Sequence, residues 1–94
     1  MAVARVVAFD GVTNAKVEEM QRMMREGERP DDLPASEIVF LHDPDAERAL
    51  VVLFFENEDD YRRGDEVLSA MPADETPGQR TSVSKYDVAV RMSA

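Results

Sequence analysis

The chain contains no cysteine and no tryptophan, and only one histidine among its 94 residues. Without cysteine, neither a disulfide nor a thiolate metal site can reinforce the fold, and nothing calls for an oxidising compartment. Cations are scarce as well: 11 Lys and Arg stand against 20 Asp and Glu, a formal net charge of −9. The acidic side chains are spread along the chain, at Asp31-Asp32, Asp43 to Glu47, Glu56 to Asp60, Asp65-Glu66 and Asp74-Glu75. A phosphate backbone is bound by clustered cations, so this balance argues against nucleic acid as a partner and equally against anionic membrane surfaces. Long apolar runs are missing too. The longest, Ala49 to Phe55, is far short of a membrane span, and Met1 to Arg5 lacks the basic start, apolar run and cleavage site of a signal peptide. A cytoplasmic location is the default expectation. Arg exceeds Lys by nine to two, which points to a high-GC bacterial source.

What is present suits one small domain over 1–94, with no repeat, low-complexity tract or linker. A domain of this size buries only about 60–65% of the surface its unfolded chain exposes, so added burial through oligomerisation is a natural remedy. Val3 to Phe9 is rich in β-branched residues and stops at Asp10-Gly11, a strand followed by a turn. Thr13 and Asn14 can cap a helix from Asn14 to about Glu26, in which Val17, Met20, Met23 and Met24 recur at helical spacing before Gly27. Glu28 to Ala35, with two Pro and two Asp, reads as a loop. Ile38 to Leu41 and Ala49 to Phe55 read as a hairpin joined through His42-Asp-Pro-Asp-Ala-Glu47. Asn57 is a good N-cap, and Glu58, Asp59 and Asp60 suit the positive end of a helix running to about Met71, with Tyr61, Gly64 and Leu68 on one face. After the loop Ala73 to Gln79, Arg80 to Met92 alternates as a long final strand, Tyr86, Val88, Val90 and Met92 on one side and Lys85, Asp87 and Arg91 on the other. The order β-α-β-β-α-β is the α+β ferredoxin-like pattern, a four-stranded antiparallel sheet with two helices on one face.

Two helices cover one face, and the strands do not alternate as a solvated second face requires. Leu50 to Phe55 is apolar throughout, as are Ile38 to Leu41 and Val6 to Phe9. Leaving about five such side chains per subunit in water would cost on the order of 8–15 kcal/mol, comparable with the whole stability of a small domain. A homodimer with sheets packed face to face is the expectation, and a monomer that covers the face with its own loop or C-terminal tail is the alternative.

Element order, length and the long fourth strand give the chain a resemblance to the dimeric α/β-barrel superfamily. That group includes antibiotic-biosynthesis and haem-degrading monooxygenases, muconolactone isomerase-like proteins and ligand-binding domains of Lrp-type regulators. The haem-degrading members typically hold the iron through a His of the second helix, with an Asn and a Trp in the pocket. Here that helix has no His and the chain no Trp, so the resemblance implies no cofactor.

Three residues stand out for chemistry. His42 is the only side chain whose ordinary titration falls near neutrality, and it sits beside Asp43 at a strand end; a solvated or backbone-capping role competes with one as base. Tyr61 and Tyr86 are placed to point into the space between helices and sheet, where each hydroxyl can orient a phenolic or quinone-like molecule or simply complete a core. Asp43, Asp45 and Glu47 alternate in a turn but lack the Gly and distant Glu of an EF-hand loop, so no metal site is expected. No phosphate loop, nucleophile–base pair or close carboxylate pair is identifiable. The expected function is a small dimeric protein binding a small apolar or aromatic ligand between helices and sheet. Two alternatives stay open: a cofactor-independent monooxygenase or isomerase acting on an aromatic substrate through His42, Tyr61 or Tyr86, and a protein-interaction module presenting the loops Glu28 to Ala35 and Ala73 to Gln79.

Overall fold

The apolar strands and the two capped helical stretches assemble in the order β1 (Val3–Asp10), α1 (Asn14–Arg25), β2 (Glu37–Asp43), β3 (Arg48–Phe55), α2 (Glu58–Ser69) and β4 (Gln79–Asp87). The structure is a computed structural model that describes residues 2–26, 33–70 and 77–92. Its strands form one antiparallel sheet in the order β2-β3-β1-β4, with both helices on one face, an α+β ferredoxin-like fold.

Local chemistry sets the boundaries. β1 ends at Asp10-Gly11, where Gly11 takes a φ of 70°, a conformation without steric cost only for glycine. α1 opens with the amide of Lys16 donating to Thr13 Oγ1 at 3.3 Å. α2 opens with the amide of Asp60 donating to Asn57 Oδ1 at 2.8 Å, and Glu58, Asp59 and Asp60 fill its first turn, where negative charge complements the helix dipole. In the β2–β3 hairpin, Asp43 Oδ1 accepts from the amides of Asp45 and Ala46, and the carbonyl of Glu47 accepts from the amide of Val12 at 2.7 Å. That turn therefore has a structural use for the Asp43 carboxylate.

Pairing registers divide the side chains between two faces, because residues directly opposite one another share a face. Val3, Arg5, Val7 and Phe9 of β1 lie with Phe55, Leu53, Val51 and Ala49 of β3, and with Ile38, Phe40 and His42 of β2. This is the helix-covered face. One core cluster joins Val7, Phe9, Val12 and Ala49, with Val17 of α1 packed against it; another joins Leu33, Ala35, Leu53 and Phe55, with Tyr61 and Leu68 of α2. Val51 packs against both.

The open face consists of three rows across the sheet: Leu41, Leu50, Ala8 and Ser82; Val39, Val52, Val6 and Ser84; Glu37, Phe54, Ala4 and Tyr86. Beyond the first row, Asp43, Arg48 and Asp10 form a charged border. Much of this face meets solvent within one chain: Leu41 is 50% exposed, Leu50 39% and Tyr86 58%.

The final strand is shorter than its alternation suggests. β4 ends at Asp87, opposite Val3 at the start of β1, and beyond it the amide of Val88 donates to the carbonyl of Ala2. Hydrophobic alternation cannot extend a strand past the end of its neighbour. Residues 88–92 instead bring Arg91 over the Phe54 ring, 4.4 Å from its centroid, and into an ion pair with Glu37. Both partners lie on the open face, so the tail covers one end of it while Val90 and Met92 stay 76% and 86% exposed. The expected extent of α2 to Met71 and most of the two loops Glu28 to Ala35 and Ala73 to Gln79 lie outside the described residues.

Gly64 is the buried residue of α2, and a Cβ there would fall within the van der Waals envelope of the Phe55 ring. Gly64→Ala is expected to destabilise the protein by about 1–3 kcal/mol through overpacking. This outweighs the gain of up to ~1 kcal/mol in helix propensity, and urea denaturation monitored by circular dichroism measures the balance.

Candidate functional site

The alternation of β1 carries an anomaly: Arg5 shares its face with Val3, Val7 and Phe9, so pleat geometry sends a guanidinium into the core. Arg5 is 3% exposed. Its Nε donates to Asp65 Oδ1 of α2 at 3.0 Å, and its Nη2 is buried with no hydrogen-bond partner. A buried donor left unmatched costs roughly 1–3 kcal/mol, so this atom marks a place where the interior is incomplete. A lone Arg within an otherwise apolar strand, at the parity of the core, is the signal by which the sequence reveals it.

Around Arg5 the space between α2 and the sheet is polar and aromatic. Tyr61 packs edge-on against Phe55, ring centroids 5.6 Å apart. Lys85, opposite Arg5 in the β1–β4 register, lies 5.2 Å from the centre of the Tyr61 ring and donates to Glu58 Oε2 at 2.7 Å. Burial first, and the Asp65 carboxylate second, push the Tyr61 phenol above its ordinary value of 10.0. Hydrogen bonding to Glu58 raises the Lys85 ammonium. Tyr61 therefore stands as a neutral phenol at neutral pH, a hydrogen-bond donor rather than a base.

His42 and Tyr86 are not part of this group. His42 is half-buried on the helix-covered face at the far end of β2, and its Nε2 donates to the carbonyl of Val12 at 2.8 Å. A carbonyl oxygen only accepts, so Nε2 holds the hydrogen and the backbone-capping role applies. Tyr86 lies in the third row of the open face, paired with Ala4, and points away from the helices. This corrects its expected place between helices and sheet: β4 enters the sheet so that Val83 and Lys85, not Ser84 and Tyr86, share the parity of Arg5. Of the three candidates, only Tyr61 occupies the helix–sheet interior in contact with other polar side chains.

A concavity of about 510 Å³ lies elsewhere, at the charged-border end of the open face, with Ala8, Leu41 and Leu50 among its lining and Asp43, Arg48 and Thr81 around it. It is the end of the face that the C-terminal tail leaves uncovered. Among the described residues no cluster of His, Asp and Glu has the geometry to hold a metal ion, and no helix is long and apolar enough to cross a membrane.

Neither a protein-family model nor a curated protein matches the chain. Solved structures do. One is a crystal structure of a MhuD mutant with two manganese protoporphyrin IX molecules bound per active site; its TM-score is 0.62 at 16% identity, over 98% of this chain and 99% of that one. Such a likeness shows the fold, and the resemblance inferred from element order holds at that level. The described residues do not fit a haem held through a His of the second helix. α2 offers no His, the single imidazole is engaged by Val12, and α2 is pressed onto the sheet where Gly64 meets Phe55.

Two outcomes follow from the interior cluster. Asp65→Ala is expected to cost about 1–3 kcal/mol by stranding the Arg5 guanidinium, partial exposure of Asp65 keeping the loss below that of a fully buried pair. Adding Arg5→Met should return most of it, as a double-mutant cycle in urea would measure. Because the folded phenol of Tyr61 titrates above its ordinary value, its stabilising contribution is complete below pH 10.0 and declines as pH rises through the folded value. Tyr61→Phe should remove the late-ionising component from an ultraviolet tyrosinate titration.

Proposed function

We propose that the chain works as a homodimer, sheet against sheet, and binds a small apolar or aromatic molecule between α2 and the sheet of each subunit. The observation that carries the dimer is the open face. Three rows of largely apolar side chains lie side by side, Leu41 and Leu50 among them 50% and 39% exposed, and the tail shelters only the end near Phe54. Contiguous exposed apolar area of this kind marks interaction surfaces, and an antiparallel sheet with one helix-covered side leaves room for a second copy on the other.

The ligand reading is supported by the buried Arg5 donor beside the Tyr61 and Phe55 rings. Binding is favoured over turnover because Tyr61, His42 and Tyr86 stand in three separate places, whereas general acid–base or nucleophilic chemistry needs its groups within hydrogen-bond reach of one another. The single-domain organisation over 1–94 and a cytoplasmic site of action belong to the same proposal.

Light scattering over a dilution series tests the assembly. The expected mass is twice the 10.5 kDa of one chain. Leu50→Glu, which places a charge in the middle of the apposed rows, should reduce the mass to that of a single chain with the circular dichroism spectrum unchanged. A monomeric unsubstituted protein would overturn the dimer.

A further inference from the structure

We infer that the C-terminal tail of each copy seats in the concavity at the opposite end of its partner's open face, Val90 and Met92 against the partner's Leu41 and Leu50, so that each chain completes a site on the other. The inference rests on the homodimer proposed above and fixes how its two sheets meet. Within one chain the two ends of the open face are unlike. At one end Arg91 pins residues 88–92 over Phe54 and Glu37, with Val90 76% and Met92 86% exposed. At the other lies the concavity of about 510 Å³, lined by Ala8, Leu41 and Leu50, the two leucines 50% and 39% exposed. One end stands out from the sheet with apolar side chains; the other is hollow and apolar. Pinned at Arg91, the tail stays at its own end: Leu50 lies four residues along β3 from Phe54, roughly 13 Å at the rise of a strand.

A two-fold axis lying between two stacked sheets runs either across the strands or along them. An axis across the strands, over the middle row of Val39, Val52 and Val6, sets that row on its own copy and brings the tail end of each chain onto the hollow end of the other. The tail leaves β4 beside β1 and passes to β3 and β2 at Phe54 and Glu37. In the same order the partner's first row offers Ala8, Leu50 and Leu41, the lining of its concavity. An axis along the strands lays hollow on hollow instead. It offers each Arg48 the partner's Asp10, a rim ion pair of small value. Against that gain it stacks two borders that each carry Asp10 and Asp43 to one Arg48, and it encloses both 510 Å³ concavities, whereas packed interiors hold few voids larger than a water molecule. Filling the hollow with Val90 and Met92 removes the void and takes the tail's apolar surface out of water in one contact.

A chain without cysteine makes the arrangement readable by crosslinking. Copies carrying Leu41→Cys and copies carrying Met92→Cys are refolded together from urea and oxidised at a concentration where light scattering gives twice the mass of one chain. They should form a mixed disulfide dimer about tenfold faster than Tyr86→Cys copies mixed with Met92→Cys copies, because sulfurs held within disulfide reach act at an effective concentration in the millimolar range. The axis along the strands predicts the reverse order, since it lays the tail over the partner's Tyr86. The unsubstituted chain gives a second readout that does not depend on how the variants pair. In a mixture of isotope-labelled and unlabelled copies, nuclear Overhauser contacts should join the Met92 methyl to the partner's Leu41 and Leu50 methyls. Faster crosslinking through Tyr86→Cys, a Met92 methyl against the partner's Tyr86 ring, or no contact between subunits at Met92 while the mass stays doubled would each overturn this arrangement and leave the dimer standing. The mass of a single chain at every concentration would overturn both.

Discussion

A four-stranded sheet has two faces, and two helices of 12 residues each can shelter only one of them. Everything distinctive about this chain follows from the second face being apolar. The helix-covered side builds an ordinary core from Val7, Phe9, Leu53 and Phe55. The other side sets Val6, Val39, Val52, Leu41 and Leu50 in adjoining rows, with Leu41 and Leu50 50% and 39% exposed in a single chain. The tail does what it can, pinned through Arg91 to Phe54 and Glu37, but it leaves its own Val90 and Met92 in water. The proposed partner surface would relieve both exposures together.

Within the helix-covered side the dominant constraint is the opposite one, a charge where apolar packing is expected. Burying a guanidinium is tolerable because Asp65 meets its Nε, and replacement of such a pair by apolar residues is often neutral in stability. Stability alone therefore does not account for an arginine at this position. The unmatched Nη2, the neutral phenol of Tyr61 and the Lys85–Glu58 pair make this the one place among the described residues where aromatic surface and a buried unused donor meet.

The elements were legible because their signals are local. Thr13 and Asn57 announce the helices by the hydrogen bonds they accept, Asp10-Gly11 ends β1, and the apolar run Leu50 to Phe55 marks β3. What escaped was set by register. Tyr86 and Lys85 alternate in any strand, and only pairing with β1 decides which of them faces the helices. β4 likewise ends at Asp87, opposite Val3 where β1 begins, although Val88, Val90 and Met92 continue the alternation. His42 looked available for chemistry because nothing in sequence shows the carbonyl of Val12, thirty positions away, that occupies its Nε2. Arg5 was readable from parity alone once the strand was assigned.

The central claim, that the open face is covered in solution by a second copy, is tested most directly by the solvent accessibility of its methyl groups. With the methyls of Leu41, Leu50, Val39 and Val52 labelled, a soluble paramagnetic agent broadens whichever signals meet water. The account predicts that these four residues are protected to the same degree as Val7 and Leu53 of the buried core. Broadening of Leu41 and Leu50 in proportion to their exposure in a single chain would contradict it.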